Sequence, residues 1–120
     1  MASILMLGLE SDLANELSRV LRQDGHLIKT VESVGDAVRA RGVDIVFAGG
    51  DGPDYRETVM RMATARPDLP VVLVNRHPEN ARWLDALELG AADYCGAPFE
   101  PVQVRWLLGS VLREPAPAAA

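Results

Sequence analysis

The chain has 120 residues, a length that suits one domain with a single hydrophobic core. Its formal net charge of −5 at pH 7 gives no general attraction to nucleic acid or to an anionic membrane surface, and we expect neither as a direct partner. The single cysteine, Cys95, cannot form an internal disulfide, so we expect a reducing, cytoplasmic location.

The first half of the chain alternates apolar strand patterns with helical patterns. A continuous apolar run at 4–7 predicts a strand buried on both faces. Ser11 is a candidate N-cap for the helix that follows. A more polar strand is predicted at Leu27–Val31, a short helix after Ser33, and a third, apolar strand at 43–48.

The second half continues the same alternation. A helix is predicted at 55–66 and is stopped by Pro67, since proline cannot continue a helix. The remaining predicted elements are a β-branched strand at 71–74, a helix from Pro78 to Leu89, a short strand at 93–96 and a last helix from Pro101 to about Arg113.

Five successive strand–helix units predict an α/β fold, with a parallel sheet covered by helices on both faces. Right-handed crossovers favour the flavodoxin-like strand order 2-1-3-4-5 in a three-layer α/β/α arrangement. Ligands of such sheets bind at the carboxyl ends of the strands, here strands one, three and four. We assign the domain to residues 1–113. The Pro/Ala-rich segment 114–120 has the composition of an interdomain linker.

Four segments give the chain a resemblance to a known family, and the first of them, 4–10, is similar to its first strand. The segment 87–99 has the Gly-Ala, aromatic and Pro-Phe punctuation of a fifth-strand region in that family. The segments 43–47, followed by Pro53, and 68–72 are similar to its third strand and to the start of its fourth. Over almost its whole length the chain resembles the response-regulator receiver domain (CheY-like) of two-component signalling.

The resemblance implies transfer of a phosphoryl group from a histidine kinase to a strand-end aspartate, assisted by a divalent metal, a lysine and a hydroxyl group. The family positions fall here on Gly8 and Leu9 for the metal-binding acids, Gly49 for the acceptor, Asn75 for the hydroxyl and Ala97 for the lysine. Glu10, Tyr94 and Pro98 are retained. Glycine offers no nucleophile, and Mg²⁺ usually requires a carboxylate ligand. The sequence therefore predicts a degenerate receiver with no catalytic residue, metal or cofactor.

A second surface suggests what such a domain does instead. In the last helix Trp106 lies about 200° around from the inward residue Val104, and Val102 shares its outer face. With Trp83 and Tyr94 they form a candidate contact surface for protein partners or a second copy. We expect a non-enzymatic, phosphorylation-independent interaction module, with an output domain following residue 120.

Two alternatives remain open. The crevice near Gly8, Gly49, Asn75 and Arg76 could hold a small anion or a nucleotide. A displaced phosphoacceptor could be Asp51 or Asp54, although aspartate between glycines is also typical of a turn.

Overall fold

The computed structural model describes residues 1–76 and 80–112. Its five strands are β1 (Ser3–Leu7), β2 (Leu27–Val31), β3 (Ile45–Gly49), β4 (Val71–Asn75) and β5 (Asp93–Gly96). Its five helices are α1 (Ser11–Gln23), α2 (Val34–Arg39), α3 (Tyr55–Ala65), α4 (Asn80–Leu89) and α5 (Pro101–Leu112). The strands form one parallel sheet of order β2-β1-β3-β4-β5. The predicted fold class and strand order are therefore confirmed.

The core lies on both faces of the sheet because the central strands are apolar at consecutive positions. One face packs against α1 and α5 through Ile4, Met6, Leu17, Phe47, Val104 and Leu108. The other packs against α2 and α3 through Leu5, Leu7, Ala37, Val46, Ala48 and Met62. A smaller cluster under α4 contains Val59, Leu73, Ala86 and Ala91. Three layers follow from this arrangement.

Of the two serines predicted to cap helices, one does so and the other does not. Ser33 caps α2 as predicted, since its hydroxyl accepts a hydrogen bond from the Asp36 amide at 3.1 Å. The prediction for Ser11 was wrong. The helix already includes Ser11, and the cap position is occupied by Glu10, whose side chain makes no cap hydrogen bond. The helix gains its stability instead from a buried apolar stripe that includes Leu13 and Leu17.

The third strand begins at Ile45, two residues later than predicted. Asp44, just before β3, accepts a hydrogen bond through its carboxylate from the amide of Ser3, the first residue of β1, at 2.8 Å. The proposed start of α4 at Pro78 and the segment 113–120 lie outside the described residues. No helix in the described part of the chain is long and apolar enough to cross a membrane.

Candidate functional site at the carboxyl ends of the strands

The position that would carry a phosphoacceptor is closed by the backbone of the neighbouring strand end. A Cβ atom built at Gly49 would lie 2.7 Å from the carbonyl oxygen of Gly8, nearer than real Cβ contacts come. Gly8 has φ +63°, a left-handed conformation that favours glycine. The two glycines therefore let the ends of β1 and β3 approach through their backbones. A side chain at position 49 would require one strand end to move.

The next residue is packed just as closely against β4. A Cβ atom at Gly50 would lie 2.6 Å from Leu73 Cγ and 2.8 Å from Asn75 Nδ2. The Gly50 amide donates to the Val74 carbonyl at 2.8 Å. The chain leaving β3 therefore stays in contact with β4 for one residue beyond the strand.

Asp51 binds the end of β4. One carboxylate oxygen, Oδ2, accepts from the Arg76 amide at 2.6 Å, and the other accepts from Asn75 Nδ2 at 3.4 Å. Asn75 is fully buried, and its Oδ1 has no hydrogen-bond partner among the described residues. The amide of Asn75 is thus oriented by Asp51, with its nitrogen toward the carboxylate. Both oxygens of Asp51 are engaged in holding the loop.

Of the other family positions at this end, only Glu10 carries a charge. Leu9 and Ala97 are half-buried and pack against the α1–α5 side of the core. The Ala97 amide donates to the Asn75 carbonyl at 3.0 Å, which places Ala97 beside Asn75. Glu10 pairs with the Arg76 guanidinium at 3.0 Å in a largely exposed ion pair, which contributes little to stability.

A cavity of about 480 Å³ opens beside the two glycines. Its lining includes the carboxylates of Glu10, Glu32, Asp51, Asp54 and Glu57, and no lysine, arginine or histidine is among the described residues that line it. Such a wall repels anions. Within residues 1–76 and 80–112, no group of three or more His, Cys, Asp or Glu side chains comes together in a way that could hold a metal ion.

A cation from α4 reaches the same loop from the other side. Arg82 Nη1 donates to the carbonyl oxygens of Gly50, Asp51 and Gly52 at 3.0, 3.2 and 3.2 Å. Its guanidinium carbon lies 5.0 Å from the centre of the Tyr55 ring, a cation–π distance. Sequence reasoning missed Arg82, because only the packing of α4 beside the loop brings the two together.

One turn further along α4, Asp85 ties the helix to α3. Its carboxylate accepts from the Tyr55 hydroxyl at 2.8 Å and also pairs with the Arg56 guanidinium. The hydrogen bond from Tyr55, followed by that from Arg56, lowers the pKa of Asp85. The same hydrogen bond to Asp85, with a smaller effect of desolvation, raises the pKa of Tyr55.

The opposite side of α4 faces β5. The rings of Trp83 and Tyr94 are stacked, with centroids 3.8 Å apart and planes inclined by 16°. They line a cavity of about 460 Å³ that also contacts Gln103 and Leu107 of α5. Burial, with a smaller effect of Asp93, raises the pKa of the Cys95 thiol in this wall to about 11. Cys95 is therefore a neutral thiol at physiological pH.

The edge beyond β5 exposes large apolar side chains. Trp106 is 77% exposed and Val102 66%, as their helical spacing predicts. Leu84 and Leu87 of α4 are also exposed, which sequence reasoning did not single out. A shallow cavity of about 430 Å³ beside Trp106 shares Gln103 and Leu107 with the Trp83–Tyr94 cavity. The two cavities are therefore neighbours. We call this surface, made of α4, β5 and α5, the edge face.

The chain is similar in sequence to regulatory proteins of known name. No family model matches the chain. The transcriptional regulatory protein CreB of Escherichia coli (strain K12) is 30% identical over 109 residues, which are 87% of this chain and 48% of CreB. The sensory transduction protein RegX3 of Mycobacterium tuberculosis (strain ATCC 25618 / H37Rv) is 32% identical over 118 residues, which are 94% of this chain and 52% of RegX3. The chain spans about half the length of these relatives.

Among solved structures, a response regulator receiver domain protein from Clostridium thermocellum superimposes with a TM-score of 0.79 at 18% identity, covering 94% of this chain and 95% of the other. The fold is that of the CheY-like receiver domains. Relatives and structural neighbours together support a receiver domain of two-component response regulators.

The fold brings together most of the positions that the family resemblance singles out. Gly8 and Gly49 touch, Gly50 links Gly49 to Asn75, and Ala97 lies beside Asn75. Of the retained positions, Tyr94 stacks on Trp83, and Pro98 follows a cis peptide bond and lines the same cavity. The two candidate displaced acceptors, Asp51 and Asp54, both line the crevice cavity. Trp106 and Val102 lie apart from the crevice, on the edge face.

Proposed function

We propose that this chain is a non-enzymatic receiver-type domain of two-component signalling that acts without phosphorylation, by protein contact through its edge face. One observation supports this most directly: a side chain at Gly49 would collide with the Gly8 carbonyl oxygen at 2.7 Å. The acceptor position therefore lacks both the nucleophile and the space for one.

The remaining requirements of phosphoryl transfer are also unmet. Gly8 and Leu9 supply no side-chain oxygen for Mg²⁺, which usually binds through one or two carboxylates. Ala97 supplies no positive charge to stabilise a transferring phosphoryl group. Loss of the nucleophile, the metal ligands and the counter-charge removes three separate contributions to the reaction. We therefore assign no catalytic residue, metal or cofactor to this crevice.

The structure favours neither alternative function. A small anion or nucleotide would enter a cavity whose lining includes five carboxylates, and the cation at this strand end, Arg76, is already paired with one of them, Glu10. Phosphorylation of Asp51 would consume an oxygen that now accepts a hydrogen bond from the end of β4. Asp54 occupies the cap position of α3 and lies on the surface.

We propose that the partner of the edge face is a second copy of this chain. A two-fold contact uses the same surface on both copies, so that surface must offer both a protrusion and a hollow. Trp106 protrudes, and the shallow cavity lies beside it on the same face. Exposed tryptophan with neighbouring aliphatic side chains is typical of the centre of an interface.

The relatives suggest what such a contact controls. CreB is named as a transcriptional regulatory protein and is about twice as long as the matched segment. By analogy we propose that dimerisation of this domain, in the cytoplasm, brings two output units together. No nucleic acid contact is assigned to the domain itself, given its net charge of −5.

The substitution Trp106→Ala tests self-association. We expect the unmodified chain to sediment as a dimer at micromolar concentration and the variant to dissociate at least about tenfold more readily, since a buried tryptophan anchor contributes more than about 1.4 kcal/mol. Leu27→Ala is the matched control. It removes an exposed apolar side chain from β2, at the opposite edge of the sheet, and should leave the dimer intact.

Two results would count against the dimer. The first is an unmodified chain that remains a monomer at all concentrations, which would mean that the edge face binds a different protein. The second is a dimer that tolerates Trp106→Ala but is weakened by Leu27→Ala, which would place the contact at the β2 edge.

A further inference from the structure

The loop that borders the crevice is held from the α4 side by Arg82. Residues 50–52 contain two glycines, so two of the three have no side chain with which to anchor the loop. Arg82 Nη1 lies within hydrogen-bond distance of three successive carbonyl oxygens, those of Gly50, Asp51 and Gly52. A terminal guanidinium nitrogen carries two hydrogens, so these bonds are shared among the three acceptors. Hydrogen bonds from a cation are about twice as strong as neutral ones.

The geometry around Arg82 restricts its position. The guanidinium lies over the Tyr55 ring, and the Tyr55 hydroxyl donates to Asp85, one turn along α4 from Arg82. Two residues of α4 thus contact the segment that runs from the loop into α3. Asp85 fixes α4 to α3, whereas Arg82 alone of the two contacts the crevice loop.

The neighbouring residue of the same helix turns toward the edge face. Arg82 and Trp83 are about 100° apart around α4, so one points to the crevice loop while the other stacks on Tyr94. A displacement of the helix at Arg82 would therefore shift the indole of Trp83 against the Tyr94 ring. The crevice loop and the edge face are connected through adjacent residues of one rigid element.

We infer that Arg82 is a fixed latch that holds the crevice loop to α4 and so keeps the edge face in a single arrangement. The consequence for assembly rests on the proposed function, because it matters only if the edge face forms the dimer. In the isolated chain, loss of the Arg82 contact should have two linked effects. The loop at 49–54 opens, and the Trp83–Tyr94 stack loosens.

The experiment removes the guanidinium and reads both ends of α4. Arg82→Met keeps the unbranched stem of the side chain but none of its donors. It is made in a Trp106→Ala background, so that Trp83 is the only tryptophan and the edge-face anchor is absent in every sample. Amide hydrogen exchange at 49–54 and the fluorescence emission of Trp83 are measured. Arg61→Met, on an exposed position of α3, is the matched control.

We expect Arg82→Met to speed exchange at 49–54 by about tenfold or more and to shift the Trp83 emission, and Arg61→Met to change neither. Faster exchange at the loop with an unchanged Trp83 signal would overturn the inference, as would no change at either end. If Arg82→Met does not fold, Arg82→Lys keeps the charge but loses the planar fork, and it should produce both changes to a smaller degree.

A second measurement separates this inference from the dimer proposal. In the chain that retains Trp106, Arg82→Met should weaken self-association, whereas Arg61→Met should not. If the chain is a monomer, the dimer proposal fails, yet the linked changes at the loop and Trp83 still decide whether the latch exists.

Discussion

At the scale of single residues, the crevice depends on three glycines, one for its backbone conformation and two because a side chain there would collide with a neighbour. Gly8 supplies a left-handed turn, Gly49 allows β1 to approach β3, and Gly50 allows Leu73 and Asn75 to pack against the loop. A side chain at Gly49 or Gly50 would press on main-chain atoms or buried side chains, and moving these would lower the stability of the fold. Restoring the reactive side chain is therefore different from restoring the reactive site.

The substitution Gly49→Asp tests this distinction. We expect it to lower the free energy of unfolding by about 1–3 kcal/mol, as overpacking does, and to confer no Mg²⁺ binding. Urea unfolding and isothermal titration with MgCl₂ measure the two effects. Gly52→Ala is the control, because a Cβ built there meets no atom within 4 Å among the described residues other than its chain neighbours, and its φ is not positive. A variant that is as stable as the unmodified chain and binds Mg²⁺ would contradict the closed geometry.

At the scale of secondary-structure elements, α3 and α4 are joined by a small polar network centred on Asp85. Tyr55 donates its hydroxyl to the carboxylate, and Arg56 pairs with it. The pKa of Asp85 is lowered, so the folded state favours the ionised carboxylate. The pKa of Tyr55 is raised, so the folded state favours the protonated hydroxyl.

This network predicts a pH dependence with a definite sign. The contribution of Asp85 is fully present above its unfolded-state pKa of about 3.9 and is lost as the pH falls through the lower folded-state value. That of Tyr55 is present below about pH 10 and is lost as the pH rises through its raised value. Asp85→Asn should therefore lose less stability than the unmodified chain on acidification below about pH 4. Chemical unfolding at stepped pH measures this, and identical acid slopes would contradict it.

The sequence predicted the elements well where periodicity and capping act locally. Apolar runs located the buried strands, and Ser33 marked a helix start because its hydroxyl bonds within its own turn. The prediction at Ser11 was wrong because α1 already includes Ser11, whereas a cap residue lies just before the helix. The helix is stabilised by tertiary packing instead. The exposure of Trp106 could be predicted because helical spacing fixes which face it shares.

The candidate site was only partly predictable. The missing acids and lysine could be read from a resemblance, residue by residue. The collision at Gly49 could not, because it depends on the distance between two strands that are far apart in sequence. The roles of Arg82 and Asp51 were also hidden, since both act on partners brought near only by the folded sheet and α4.

At the scale of the whole molecule, the core of the fold and the crevice at the strand ends depend largely on different residues. Three core clusters cover both faces of the sheet, and Gly8, Gly49 and Asn75 at the strand ends belong to none of them, although Leu9 and Ala97 pack against the first. A fold can therefore retain its stability while a site grafted on it is lost or replaced. The apolar edge face is formed by separate elements and remains available for contact.

The most direct test of the account is incubation of the unmodified chain with a small phosphodonor, acetyl phosphate, and Mg²⁺, followed by intact mass measurement. The Asp51→Asn variant of this chain distinguishes reaction at that carboxylate from reaction elsewhere. A different receiver domain, one that retains the acceptor aspartate, shows that the reagent is active. The account predicts no phosphoryl adduct on this chain. A Mg²⁺-dependent adduct on Asp51, Asp54 or any other crevice carboxylate would contradict it.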